Sequence, residues 1–512
     1  MQTSVNQRSG LRFLDVIDKS AWWVWLALLV VLPITSMPFI AEWFGGAVVS
    51  PLAVLPLLIL ILIWMIAGLF RGRVLPRISW PLIFFFIIAL ISGALAFFQP
   101  ILPYKNLTLF SREIRAFITL IIGLCYYLIA SSISSTEDHI KLSIRALYIG
   151  LFLTLAWSTV QTYLVLDGIE KIPQQFNEIH RLISVRDLIK DRVTGMAYEP
   201  SWLGDQLVLL YLPFLLSSVF TRSSVFFRRK GILSVELMLA IWTVFILLMT
   251  KSRISFISFG LMIAVILALL LGRLSRWLSY RTTGSTSLER QNRGIVTPVL
   301  VYGLGIILSL GIVVGAAWGL SKIDRRMGRL FQIPENYASI HVEFPYQAGY
   351  EIANQLAFAE RIAYWEFGFN VFEQSPILGV GLGNTGFLFE DHLAPYALTL
   401  VEMKDVLDYD NPNFPNPKNL WVRLLAETGI IGFALFCTWV VLMLVAGILL
   451  ATYPETFYRM MGIAGILAFS AFVIEGFSLD SFALPQMWIV FGLLTASWWI
   501  SDRRSSNTKT DS

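Results

Sequence analysis

The sequence predicts an all-α polytopic membrane protein, and three observations carry that prediction. Of 512 residues, 56% are hydrophobic and 14% charged, whereas a soluble domain carries about a quarter charged residues. Mean hydropathy is +0.69. The apolar residues also gather into runs of the length that crosses a hydrocarbon core about 30 Å thick, roughly 20 residues as a helix.

Taken in order, twelve such runs appear. The first, 21–41, follows a polar start with no small-residue cleavage site and is expected to be retained rather than cleaved. Spans at 48–70 and 78–98 are separated by Arg71, Arg73 and Arg77. Those at 116–133, 144–166 and 199–220 lead to a second basic loop, Arg222, Arg228, Arg229 and Lys230. Spans at 232–249 and 254–272 meet in a tight turn carrying Lys251 and Arg253. A polar linker with Arg281, Arg290 and Arg293 precedes a span at 295–318, and the last three fall at 427–450, 460–477 and 484–500. Twelve crossings put both termini on one side. The basic loops after even spans, with Arg8, Arg12, Lys19, Arg503 and Arg504, make that side the cytoplasm by the positive-inside rule. The net charge of +5 is therefore a topological asymmetry and implies no nucleic-acid partner.

The chain divides into nine helices over 1–318, a large external loop over 319–426, and three helices with a tail over 427–512. So long a loop is usually functional. Within it Ile352, Leu356, Ala359, Ala363, Phe367 and Val371 recur at helical spacing, which predicts a helix packed over the bundle.

The external helix ends hold the candidate chemistry. Arg192 precedes the sixth span in Arg192-Val-Thr-Gly-Met-Ala-Tyr-Glu199-Pro200-Ser201, and Arg253 sits in the turn after the seventh. A guanidinium makes paired, charge-assisted hydrogen bonds to phosphate oxygens, although a boundary arginine also serves as a membrane anchor. Glu199 lies at a helix start, where a carboxylate is favoured. Further on, Lys418 and Asn419 precede Arg423 and Glu427, which at helical spacing put three polar groups of 419–427 on one face.

Other chemistries are poorly supported. Cys125 and Cys437 both lie in apolar runs, which argues against a disulfide framework or cysteine metal site. His139, His180, His341 and His392 lack ligand spacing, so no metal and no cofactor is expected. Gly381-Leu-Gly383-Asn-Thr-Gly386 spells a dinucleotide fingerprint but lacks the strand and helix that the motif needs.

Five of these segments together resemble the O-antigen ligase and O-antigen polymerase superfamily. They are Arg192…Gly195…Glu199-Pro-Ser, Thr250-Lys-Ser-Arg253, Arg361-Ile-Ala-Tyr-Trp365, Pro376-Ile-Leu-Gly-Val-Gly-Leu-Gly383-Asn384, and Asn419-Leu…Leu425-Ala-Glu427-Thr-Gly-Ile-Ile-Gly432. The resemblance implies a GT-C-like membrane glycosyltransferase that works without a metal at the periplasmic face of the bacterial inner membrane. Its donor would be an undecaprenyl-diphosphate-linked glycan and its acceptor a glycan or lipid, among membrane lipids. Chain-length regulators or flippases would be its protein partners. By the family pattern Arg192 and Arg253 would hold the diphosphate, and Arg361, Lys418, Asn419 and Arg423 would bind substrate.

One departure matters. Ligases of the family carry a His directly before the Asn of the last motif, and this chain has Lys418. A lysine is protonated at neutral pH, so Glu199, Glu427 and His392 remain the candidate bases. That departure favours a polymerase over a ligase acting on a lipid A-core acceptor. A lipid-linked oligosaccharide flippase is the alternative of another class, but such proteins place polar residues near the bilayer midplane, and here they gather at helix ends.

Overall fold

The computed structural model describes residues 2–43, 45–46, 48–70, 75–166, 172–226, 234–281 and 358–510, with isolated positions between 307 and 322. The expected span at 295–318 lies largely outside these residues, as do Ile352, Leu356 and His341. Among the described residues the regular elements are helices, and seven are long and apolar enough to cross a membrane. The protein is thus an all-α polytopic membrane protein.

The helices used below are α1 (Gln2–Val31), α2 (Val54–Ile66), α3 (Trp80–Ala96), α4 (Leu109–Ile133), α5 (Glu137–Leu166) and α6 (Gln174–Arg181). They continue with α7 (Pro200–Thr221), α8 (Val235–Thr250), α9 (Arg253–Arg281), α10 (Ala359–Gln374) and α11 (Val401–Leu407). The last three are α12 (Leu420–Ala451), α13 (Thr456–Glu475) and α14 (Gln486–Thr510).

Several ends differ from the hydropathic windows, each for a local reason. α1 stops at Val31, ten residues short of the expected 41, because Pro33 lacks the N–H needed to continue. α4 starts at Leu109, not 116, because Thr108 and Ser111 exchange side-chain hydrogen bonds with each other's backbone N–H, both at 3.3 Å. That early start brings Arg112, Glu113 and Arg115 into the first turns of a helix. α12 starts at Leu420, not 427, capped by Asn419, whose Oδ1 accepts from the N–H of Trp421 at 2.9 Å. In α7 the turn at Leu207–Tyr211 widens to π geometry just before Pro213, whose ring cannot accept the ordinary register.

α13 occupies the middle of the bundle, packed against α7, α9, α12 and α14. Lipid tails are as apolar as leucine, so helices in a membrane hold together through close packing rather than expulsion of water. The α12–α13 contact illustrates this: a Cβ on Gly462 would lie 2.1 Å from the backbone nitrogen of Ala451. The buried Tyr127 keeps polar partners, its hydroxyl meeting Ser79 at 3.2 Å and Thr495 at 3.0 Å.

The predicted loop helix is present as α10, with Ala359, Ala363, Phe367 and Val371 buried. It packs on the start of α12. With α11, Phe389 and Leu400 it builds a small apolar cluster of its own.

Candidate functional site

The ends of α8 and α13 and the starts of α7, α9 and α12 gather at one end of the bundle, and two polar groupings form there. The first is built by the loop before α7. α8 ends on Lys251 in the left-handed conformation, φ 50°, which leaves its last carbonyls without helical partners. Arg192 supplies them: Nε donates to the Thr250 carbonyl at 2.8 Å and Nη2 to that of Lys251 at 3.4 Å. Arg253 opens α9 two residues later, so the two sequence-predicted arginines share one turn.

Gln161 of α5 locks the loop from below. Its Oε1 accepts from the N–H groups of Thr194 at 3.0 Å and Gly195 at 2.9 Å, and its Nε2 donates to the Gly195 carbonyl at 2.9 Å. Gly195 has φ +59° and a missing Cβ that would meet Thr154 and Ser158 hydroxyls at 2.8 Å, so only glycine serves here.

Glu199 does not cap α7 with its side chain. Arg186 donates to its Oε1 at 3.0 Å while stacking over Tyr198 at 5.2 Å, and Ser201 donates to its Oε2 at 3.1 Å. The carboxylate side chain remains 39% exposed.

The second grouping surrounds the start of α12. Arg423 donates from Nε to Glu427 Oε2 at 2.9 Å and from Nη1 to the Asp480 carbonyl, and its guanidinium lies 5.4 Å from the Phe482 ring centre. Glu427 Oε1 accepts from Thr385 at 3.1 Å, so both its oxygens are engaged in a site that is 1% exposed.

The segment 376–386 explains this enclosure. α12 breaks at Gly429, φ +63°, and the backbone groups freed there pair with the passing segment. Ile430 donates to Pro376 at 2.8 Å, Val380 to Ala426 at 3.0 Å and Gly381 to Glu427 at 3.1 Å. The glycine spelling is therefore a backbone-docking device: a Cβ at Gly379 would lie 2.4 Å from the Glu427 carbonyl carbon.

Lys418, φ 47°, directs its ammonium to the Glu402 carboxylate, 4.3 Å from the Tyr364 ring centre. Burial pushes the Glu402 carboxyl up, but the Lys418 and Tyr364 hydrogen bonds outweigh it and hold the group below its ordinary value. Arg361 reaches the Lys418 carbonyl at 3.4 Å. His392 stands apart, with its Nδ1 2.8 Å from the Leu388 carbonyl inside the loop's own cluster. His180, on α6, is buried against Trp157, and burial pushes its imidazole down to about 4.

The end of α13 joins the two groupings. Glu475 Oε1 accepts from Ser258 of α9 at 3.0 Å, while the Gly476 carbonyl accepts from Leu420 of α12 at 2.7 Å. Asp205 of α7 lies near enough to interact with the Glu475 charge, and neither of its oxygens has a hydrogen-bond partner among the described residues.

Residues 238–437 match the family model described as O-antigen ligase. The match supports the O-antigen ligase and polymerase superfamily for that region. No curated protein matches it. The O-antigen ligase region takes in the Arg253 turn, α10, the glycine segment and the start of α12, but not Arg192 or Glu199. The match supports a ligase- or polymerase-type activity for this membrane protein, and the family implies a lipid-linked glycan donor and an acceptor.

Sequence reading named Arg192 with Arg253, and Asn419 with Arg423 and Glu427. It missed Arg186, Gln161, Arg112 and Asp480. Gln161 did leave a signal, an amide inside an otherwise apolar run.

Proposed function

We propose that this protein polymerises undecaprenyl-diphosphate-linked oligosaccharide units at the periplasmic face of a bacterial inner membrane, with both termini cytoplasmic. The observation that carries the reading is the Lys418 ammonium engaged by Glu402 and Tyr364. An ammonium has three donors and no lone pair, so the position that holds a histidine in ligases binds here and takes no proton.

In this reading the acceptor hydroxyl oxygen attacks the anomeric carbon of the donor. The carbon–oxygen bond to phosphate breaks, and the diphosphate leaves with the electron pair. Arg192 and Arg253 neutralise that departing charge. The hydroxyl proton passes to Glu199, which is exposed and seven residues from Arg192, whereas Glu427 is sealed by Arg423 and Thr385. Glu427 then positions Arg423, and guanidinium groups take the role that a metal plays elsewhere. The family description itself keeps a ligase as the second reading.

Deleting the gene and analysing the glycans tests this. Single repeat units on the acceptor lipid are expected, and Arg253→Ala should fail to restore long chains while inserting normally. Long chains stranded on the carrier would establish the ligase, and normal chains with Arg253→Ala would remove the diphosphate clamp.

A further inference from the structure

A third guanidinium group lies in the second grouping. Arg112, in the first turn of α4, donates only from Nε, to the Gly383 carbonyl at 3.4 Å. Neither of its terminal amino groups has a hydrogen-bond partner among the described residues. Its guanidinium carbon lies over the Phe414 ring, 4.6 Å from the ring centre, as that of Arg423 lies over Phe482 at 5.4 Å. Aromatic cover on the face of a guanidinium leaves the N–H edge for a ligand.

The charges around it do not balance. Arg423 and Arg115 oppose Arg112, against Glu427 and Asp480, and Glu427 is already paired to Arg423. Arg423 spends Nε and Nη1 on Glu427 and Asp480. Two neighbouring guanidinium groups with N–H donors to spare call for an anion, and the planar fork of a guanidinium suits phosphate oxygens. Arg112 and Arg423 sit at the starts of α4 and α12, whereas Arg192 and Arg253 meet at the turn between α8 and α9.

We propose that Arg112 and Arg423 form a second phosphate-binding site, beside the Arg192–Arg253 turn, which anchors the phosphate group of the acceptor. This rests on the polymerase reading only in naming the acceptor. A polymerase joins two carrier-linked glycans, so it has two diphosphates to hold at once, and the fold offers two guanidinium pairs.

The test is pyrophosphate binding to the full chain in phosphatidylcholine nanodiscs. Wild-type protein should show two classes of site. Arg112→Ala should weaken one class by about tenfold or more, on the scale of a charge-assisted bond, and Arg253→Ala should weaken the other. Arg112→Lys keeps the charge without the fork and should give an intermediate loss, which decides the matter if the alanine variant does not fold. One class in wild-type protein, or unchanged binding in both Arg112 variants, overturns the proposal. Repeating the titration in phosphatidylglycerol nanodiscs separates the sources: loss of the Arg112 class there would assign it to a lipid headgroup and overturn the acceptor role. Displacement by farnesyl diphosphate in the same nanodiscs supports that role. Two classes without any glycan transfer would sink the polymerase reading alone, and transfer with one class would sink this inference alone.

Discussion

At the scale of single residues, the assignment turns on which carboxylate accepts the proton. Glu199 is held by Arg186 and Ser201 yet stays exposed, a geometry that fixes the carboxylate and leaves it reachable, as a general base must be. Glu199→Gln keeps the shape and removes the proposed base. It should lower the transfer rate by about 10²- to 10⁴-fold, with donor binding unchanged, in a purified assay. Lys418→Met should instead raise substrate KM and leave the pH–rate profile in place. It should also change acid stability. The Lys418 bond holds Glu402 below its ordinary value, so its stabilisation is present above the unfolded carboxylate range of about 4.3 and is lost as pH falls through the lower folded value. Lys418→Met removes that component, which an apparent melting temperature recorded against pH would show. An acid limb displaced in Lys418→Met but not in Glu199→Gln would move the base to position 418.

At the scale of elements, the site depends on the break in α12 and on the segment laid into it. Gly429 adopts φ +63°, and an added Cβ would lie 2.2 Å from the Ile377 carbonyl oxygen. Gly429→Ala should therefore cost about 1–3 kcal/mol in backbone strain alone and lower the melting temperature of the detergent-solubilised protein. Activity should fall further than stability, because Glu427 and Arg423 lie directly before the break; full activity would show that the segment merely covers the helix. The residues of this joint were legible in the sequence as two separate motifs, Pro376–Asn384 and Asn419–Gly432, but their pairing was not. Helical periodicity reports which residues share a face of one helix, and says nothing about which segment fills a gap in another. Arg112 escaped for a related reason. The apolar window begins at 116, so the four residues before it read as loop until the Thr108–Ser111 cap extends the helix. Asp205 and Glu475 likewise stand in the sequence as isolated charges within apolar runs, since their proximity depends on α7 and α13 packing across 270 residues of sequence.

At the scale of the whole molecule, the proposed function requires that the end carrying Arg192, Arg253 and Arg423 face away from the cytoplasm, the side to which the positive-inside rule assigns the basic loops. Transfer of lipid-linked glycans outside the cell and the positive-inside rule then describe one orientation. Both native cysteines lie within apolar helices, Cys125 buried in α4 and Cys437 half-buried in α12, so they offer little background for thiol labelling. Lys190 is exposed in the loop that leads to Arg192, and Asp502 is exposed near the far end of α14. In intact cells whose outer membrane has been permeabilised, Lys190→Cys should react with a membrane-impermeant maleimide. Asp502→Cys should react only after the inner membrane is opened. The reverse pattern would place the arginine turn in the cytoplasm, beside the site where carrier-linked units are made. Labelling of both positions from outside would mean an even number of crossings between 190 and 502, and would require one of the spans read after Arg192, most simply that at 295–318, to be withdrawn from the membrane.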